Sequence, residues 1–145
     1  MSQEAIAKAV HSALSQNTAI QDALGTPPRL YDSAPEDPVF PYLSYGAMRR
    51  EDVGGDETQL HLHQMTLHLW SRYAGRAEVL ALLAEIEGVV TDLEGLAGHL
   101  PTGSLVSATP LYSDILRAPD GRTQHGLLRL SYLVQTPNFI ERSLP

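Results

Sequence analysis

The stretch that decides the fold is QLHLHQMTLHLWSR, residues 59–72, because its side chains alternate in character with a period of two. Alternate residues of a β-strand point to opposite faces of a sheet, so the pattern predicts a strand with two different faces. One face carries the odd-numbered residues from His61 to Leu69, and the other carries the even-numbered residues from Leu60 to Trp70. We expect this strand to lie centrally in a sheet that a helix covers on one side.

The main helix is predicted downstream, over residues 79–96. Apolar residues recur there at intervals of three and four, with acidic residues between them, and Gly98 is a suitable terminator. We expect this helix to pack against Leu67 and Leu69 of the alternating strand. The same spacing predicts an N-terminal helix over residues 3–15, followed by a short helical turn that ends at Gly25.

Three further strands are predicted around the alternating one. Residues 39–48 are rich in aromatic side chains and follow a proline-rich connector, which is incompatible with helix or central strand. Residues 105–116 form a strand that is interrupted or bulged near Pro110. Residues 124–135 form the last strand, after the turn sequence Pro119-Asp120-Gly121.

The order of elements is α–β–β–α–β–β, which predicts an α+β domain with a mainly antiparallel four-stranded sheet and two helices packed on it. We assign residues 1–135 to this single domain and residues 136–145 to a C-terminal arm. The strand at residues 39–48 and the last strand are the predicted free edges, and exposed edges invite pairing between molecules.

Composition restricts the functional classes. The 145-residue chain has no cysteine, which excludes disulfides and thiolate chemistry and suits a reducing compartment. Its net charge of −7 disfavours a protein that reads nucleic acid through a basic face. No apolar run approaches the roughly 20 residues that span a membrane, and the N-terminus lacks the features of a signal peptide. We therefore expect a soluble, intracellular protein.

Sequence motifs for catalysis are missing. The chain has no G-x-S-x-G turn for a nucleophilic serine and no glycine-rich phosphate loop. Glu85 and Glu87 are too close in sequence to share one helical face as a carboxylate pair. The sequence therefore predicts a protein that is not an enzyme and that needs no cofactor.

His61 and His63 are the candidate metal ligands. Two positions apart on a strand, they project from the same face, but a metal site needs a third or fourth ligand and no further residue stands at a diagnostic interval. His68 is predicted on the opposite face. Packing in the sheet or contact between subunits is the other interpretation of the pair.

A nine-residue connection between the first two strands is the candidate interface. Hairpin loops usually have about 2–5 residues, so the extra length indicates a contact made elsewhere. Its two glycines would allow it to become ordered on contact. The predicted contact residues are Arg50, Glu51, Asp52, Val53, Gly54, Gly55, Asp56 and Glu57.

The succession of features over about residues 10–135 resembles the small phage tail-terminator, or tail-completion, family of prophages and alphaproteobacterial gene transfer agents. The most specific pieces are Pro41-Tyr42, the strand end Leu69-Trp70-Ser71-Arg72 followed by Gly75, and Asp120-Gly121 before the last strand. Each piece is short, and the resemblance depends on their order and spacing. The family has no catalytic residues to carry over.

The resemblance implies a structural virion protein that forms a ring, typically a homohexamer, at the head-proximal end of a tail. Such a ring ends polymerisation of the tail-tube protein and joins the tube to the head-tail connector, while DNA passes through the lumen without specific binding. Assembly would take place in the bacterial cytoplasm, without a membrane. A neck or head-completion protein of the adjacent ring is one alternative, and a soluble metal- or ligand-binding protein using His61 and His63 is another.

The acidic connection has two possible roles in such a ring. Glu51, Asp52, Asp56 and Glu57 would repel phosphates if they lined the lumen, which would keep passing DNA from sticking. Alternatively, the connection would grip the adjacent ring or the tube protein.

Overall fold

The alternating stretch forms the third of five strands in a single sheet. The computed structural model describes residues 2–55, 59–100 and 104–136. Along the chain the elements are α1 (Gln3–Gln16), α2 (Thr18–Leu24), β1 (Leu30–Tyr31), β2 (Tyr42–Asp52), β3 (Gln59–Ser71), α3 (Ala77–Val90), α4 (Leu93–Ala97), β4 (Ser104–Arg117) and β5 (Gln124–Thr136). The strand order across the sheet is β1-β2-β3-β5-β4, and every pair except β1–β2 is antiparallel.

The two faces of β3 differ as the alternation predicts. The odd-numbered residues His63, Met65, Leu67 and Leu69 are at most 2% exposed, whereas most even-numbered residues are half-buried. The buried side faces α1 and α3, whose apolar residues join the same core. Gly126 of β5 lets α3 approach closely, because a Cβ at that position would lie 2.8 Å from the Val79 Cγ2 atom.

The connector before β2 contributes a strand that the sequence did not predict. Leu30 and Tyr31 pair in parallel with Leu43 and Ser44, so the sheet has five strands and is mixed, not four-stranded. The backbone N–H of Leu43 donates to the Arg29 carbonyl at 3.0 Å and begins this pairing. β1 has only two residues, and the prolines on either side of it, Pro28 and Pro35, lie outside it.

The prediction of a single helix over residues 79–96 is wrong, because the helix is interrupted between α3 and α4. Asp92 has an extended backbone (φ −79°, ψ 101°), and the Thr91 hydroxyl donates to the Glu87 carbonyl at 2.6 Å, which caps the end of α3. Leu96 is nevertheless buried. The apolar spacing therefore continued across the break and concealed it.

The free edges are partly those that the sequence predicted. Beyond Ser44, no described residue pairs with the outer side of β2, so this edge is confirmed. The prediction for the last strand is wrong, since β5 lies between β3 and β4 and the opposite edge is β4. The predicted irregularity near Pro110 is confirmed as a register shift between Pro110 and Tyr112.

The first strand was predicted over residues 39–48 but runs from Tyr42 to Asp52, so both of its predicted ends are wrong. Apart from the interrupted helix, the other predicted ends agree within one or two residues. Gly25 and Gly121 both have positive φ, at the end of α2 and in the β4–β5 turn respectively. None of the described helices has the length and apolar character needed to cross a membrane. The predicted C-terminal arm starts at Thr136, the last residue of β5, and residues 137–145 lie outside the described part of the chain.

Candidate functional site

The predicted interface loop is shorter than the sequence indicated, because β2 continues into it. Arg50, Glu51 and Asp52 belong to β2 and pair with His63, Leu62 and His61 respectively. The ladder extends one residue further, since the Val53 N–H donates to the Leu60 carbonyl at 2.9 Å.

The turn that follows begins within the described residues. The Asp52 carboxylate accepts a hydrogen bond from the Gly54 N–H at 3.0 Å, and Gly55 is the last described residue before the gap. Asp56 and Glu57 lie outside the described residues. Much of the predicted loop is therefore the end of a long hairpin.

Charges at this end of the hairpin are mixed. Arg49 and Glu51 form an exposed ion pair at 3.1 Å, a type of contact that contributes about 0–1 kcal/mol. Arg50 lies next to them in sequence and is also exposed. The negative charge of Glu51 is thus compensated locally.

His63 is fully buried beneath the helices. Its exposed fraction is 0%, and neither ring nitrogen has a hydrogen-bond partner among the described residues. Burial lowers the pKa of His63 to about 4, with the Arg50 guanidinium as a further cause. The imidazole is therefore neutral at pH 7 and occupies a packing position.

His61 shares the face of His63, as predicted, and desolvation likewise lowers its pKa. A metal would require further ligands. Within residues 2–55, 59–100 and 104–136, no group of three or more histidine, aspartate or glutamate side chains is placed to hold one. The geometry of the described residues thus gives the metal alternative no additional support.

The opposite face of β3 carries a stacked aromatic cluster. The Trp70 ring stacks on His125 with centroids 3.9 Å apart and an interplanar angle of 8°. His68 Nδ1 lies 2.7 Å from His125 Nε2, so one imidazole donates to the other. The Trp70 indole N–H donates to the Ser44 hydroxyl at 3.0 Å. Desolvation lowers the pKa of both His68 and His125.

Sequence reasoning placed His68 on this face correctly but missed its partner. His125 is 57 residues away, and only the antiparallel register of β3 with β5 brings the two together. The available signal was the even-numbered position of His68 and Trp70 together with a histidine at the start of the last strand. The register that joins them is non-local and is not encoded by any turn.

Arg72 connects this cluster to the β4–β5 turn. Its guanidinium lies 4.3 Å from the centre of the Phe40 ring, and its Nε donates to the Thr123 hydroxyl at 3.1 Å. Its Nη2 is 3.6 Å from Asp120 Oδ2. The pKa of Asp120 is lowered to about 2, first by the Thr123 hydroxyl and then by the N–H groups of Arg122 and Thr123, with Arg72 as a smaller cause.

The three most specific sequence motifs therefore meet at one end of the sheet. The proline–aromatic entry to β2, the tryptophan–serine–arginine end of β3 and the aspartate–glycine turn before β5 are joined by these contacts. The Arg29 side chain adds a hydrogen bond to the Pro41 carbonyl at 3.0 Å. Together these contacts form a clamp on three strand ends.

The region of the chain that matches a family of known proteins contains all three of these motifs. Residues 8–135 match the family model described as tail completion protein gp17. The chain belongs to this family. The match spans all three converging motifs and confirms the family that they indicated.

A solved structure shows that the same fold occurs in an assembled particle. A chain of the virion of a native gene transfer agent particle superposes with a TM-score of 0.73 at 21% sequence identity. The alignment covers 88% of this chain and 92% of that one. No individual curated protein matches the sequence.

Family membership makes this tail completion protein a structural component of a phage-type tail. Its described surface offers features that suit contact with other proteins. The outer face of the sheet is half-buried and rich in leucine, and Arg129 in its middle donates hydrogen bonds to Thr66 at 2.7 Å and Gln64 at 2.9 Å. The sheet is bounded on one side by β1 and the part of β2 that β1 leaves unpaired, and on the other side by β4.

Proposed function

We propose that this tail completion protein is a tail terminator, which forms a homohexameric ring at the head-proximal end of a phage-like tail. The ring ends polymerisation of the tail-tube protein and presents its opposite surface to a head-tail connector protein. The observation that carries the proposal is the family match over residues 8–135, which covers most of the α+β domain, from the middle of α1 to β5. The role therefore belongs to the domain as a whole.

The setting of the related fold supports this role. The similar chain was solved as part of a gene transfer agent virion. By analogy, the protein would be assembled in the bacterial cytoplasm and remain in the finished particle, with DNA passing through its lumen. A net charge of −7 is compatible with passage, because carboxylates repel phosphates and do not bind them.

Particles produced without this protein test the proposal. A terminator controls where the tube stops, so electron microscopy should show tubes of irregular, excessive length that lack heads. Supplying the protein in trans should restore uniform length. Tails of normal length that fail to join heads would instead indicate a neck or head-completion protein, and normal particles would refute both roles.

The hairpin end at residues 50–57 is proposed to grip the adjacent ring or the tube protein. The support is the mixed charge of Arg50, Glu51 and Asp52 at the exposed end of a long β2–β3 ladder. The opposing role is lining of the lumen. A variant in which Glu51, Asp52, Asp56 and Glu57 are all neutralised distinguishes the two roles. If the hairpin end holds on to another protein, this variant should be incorporated into particles less efficiently.

A lumen role predicts a different result for the same variant. Particles would then assemble normally but deliver DNA less efficiently. Unchanged assembly and delivery would leave the hairpin end with neither role.

Metal analysis checks the remaining alternative. A terminator has no need of a metal, so we expect the purified protein to contain no stoichiometric zinc. Zinc that is present at one equivalent and lost in a His61→Ala/His63→Ala double variant would favour a metal-binding function.

A further inference from the structure

Two histidines on the outer face of the sheet are joined directly to each other. His68 of β3 pairs in register with Leu127 of β5, and His125 of β5 pairs with Trp70 of β3, so the two histidines are diagonal neighbours. His68 Nδ1 and His125 Nε2 are 2.7 Å apart and share a hydrogen bond. The proposed terminator role does not depend on this pair.

The hydrogen bond limits how many protons the pair can hold while the rings stay together. A neutral imidazole has one N–H and one bare nitrogen, whereas an imidazolium carries hydrogen on both nitrogens. Two neutral rings can bond to each other, and so can one neutral ring and one imidazolium, because a bare nitrogen remains to accept. Two imidazolium rings cannot, since the facing Nδ1 and Nε2 atoms would both carry hydrogen on rings of like charge.

Neighbouring groups fix the positions of both rings. The Trp70 ring stacks on His125 at 3.9 Å with an interplanar angle of 8°. The His68 ring lies against β2 at Gly46, where a Cβ would be 2.7 Å from His68 Cδ2. His68 therefore has no room to move towards β2. Two charged rings would have to separate by movement of His125, the ring that covers Trp70.

The surroundings offer little to compensate a second proton on the pair. The titratable and charged groups on this face come from every neighbouring strand: Tyr42 on β2, Arg72 with its partner Asp120 after β3, Asp114 on β4 and Arg129 on β5. Among the described residues, neither imidazole forms an ion pair, and the hydrogen bond of each ring is to the other ring. No carboxylate is thus in place to stabilise two positive charges.

Burial keeps both rings neutral at pH 7. Desolvation lowers the pKa of His68 and of His125, and the charge of His68 is a further cause for His125. The neutral pair with its hydrogen bond is therefore the form present at neutral pH. When two ionisable groups are coupled in this way, they take up protons in two steps that belong to the pair and not to either residue.

We propose that the His68–His125 pair is an acid-sensitive latch between β3 and β5, which stays closed with no or one added proton and opens when it takes up a second. Opening moves His125 away from His68 and uncovers the Trp70 ring. The latch lies beside the clamp on three strand ends, because Tyr42 stacks on Trp70 with centroids 6.2 Å apart. Acid thus loosens the outer face of the sheet next to the clamp.

Imidazole NMR of the purified, folded protein tests the coupling of the two rings. As the pH falls from 7.5, the first step should shift the resonances of both His68 and His125, since the added proton is shared across the hydrogen bond. In His68→Asn the side chain stays polar but does not titrate, so His125 should titrate in one independent step. An unchanged His125 curve in this variant would refute the coupling. Resonances that stay constant until the protein unfolds would overturn the latch, which then never opens in the native state.

Trp70 reports the opening itself, because it is the only tryptophan of the chain. Quenching of its emission by acrylamide should rise in the wild type as the second proton binds, while far-UV circular dichroism stays constant. In His68→Asn this acid step should be lost, because a single imidazolium at His125 remains on the Trp70 ring as a cation–π contact. His61→Gln is the matched control: His61 lies on the same strand but on the opposite face, so the step should persist.

Each other result counts against the latch. An equal acid step in the wild type and in His68→Asn would overturn it, and so would quenching that does not change with pH in the folded wild type. Loss of the step in His61→Gln would assign the effect to the other face of β3. If His68→Asn does not fold, His125→Gln gives the same comparison by NMR: His68 should then titrate in one step, and a wild-type curve for His68 would refute the pairing.

Discussion

The buried imidazole of His63 provides the sharpest prediction about stability. Its exposed fraction is 0%, and both ring nitrogens lack a hydrogen-bond partner among the described residues. Burying a polar group without a partner costs about 1–3 kcal/mol. His63→Leu replaces it with an apolar side chain of similar size, so the variant should be about 1 kcal/mol or more stable than the wild type at pH 7.

The pH dependence of the same residue follows from its lowered pKa. The folded-state pKa of His63 is about 4 and its ordinary value is 6.5, so between these two values the unfolded chain binds more protons than the native state. Native stability is therefore complete above about pH 6.5 and declines as the pH falls towards 4. The full difference corresponds to about 3 kcal/mol, and it is constant below the folded pKa.

Urea denaturation followed by circular dichroism at pH 7, 5.5 and 4.5 measures both effects. The decline in unfolding free energy with acid should be smaller in His63→Leu than in the wild type. His63→Gln is the matched control, because it keeps a buried polar group but cannot titrate, so it should reduce the pH dependence without the gain at pH 7. A loss of more than about 2 kcal/mol at pH 7 in His63→Leu, with His63→Gln unaffected, would refute the reasoning by showing that the imidazole has a partner.

Three further predictions concern the core and the β4–β5 turn. Gly126→Ala should cost about 1–3 kcal/mol of unfolding free energy, because its Cβ would lie 2.8 Å from Val79 Cγ2; a Val79→Ala double variant should recover part of this cost in chemical denaturation. Tyr132→Phe should cost about 1–2 kcal/mol, because the buried hydroxyl donates to the Val90 carbonyl at 2.7 Å; an unchanged melting temperature would contradict this. Asp120→Asn should be less stable than the wild type at neutral pH, and the difference should shrink as the pH falls from about 3.8 to about 2, where the wild-type carboxylate also becomes neutral; thermal melts across this range would show it.

Local patterns were sufficient for most of the fold. The alternation around Met65 predicted a two-faced strand, and the spacing from Val79 onwards predicted the helix that covers it. Both succeed because side-chain direction repeats with the period of the backbone. The same patterns failed at Asp92, where an apolar repeat crosses a break, and at Leu30, where a strand is too short to show any period.

In the candidate site, too, the sequence predicted local features and missed contacts between distant strands. The sequence predicted a nine-residue connection at residues 50–58, but pairing of Val53 with Leu60 shortens the loop, and length alone did not reveal that. The cluster of Trp70 and His125 was missed because it depends on which strands are neighbours. Adjacent positions in a sheet are set by packing of the whole domain, and turn sequences specify only the hairpins that they close.

The sequence by itself determined the class of the domain, the two faces of β3 and membership of the tail completion family, since each depends on the order and spacing of residues along one chain. Only the tertiary structure decided which strands end the sheet. It placed β5 inside and β4 at the edge, and it brought the family motifs together as a clamp on three strand ends. The physical reason is that strand order is chosen by the burial of a shared core, which joins residues that are distant in sequence, whereas periodicity reports only the local direction of side chains.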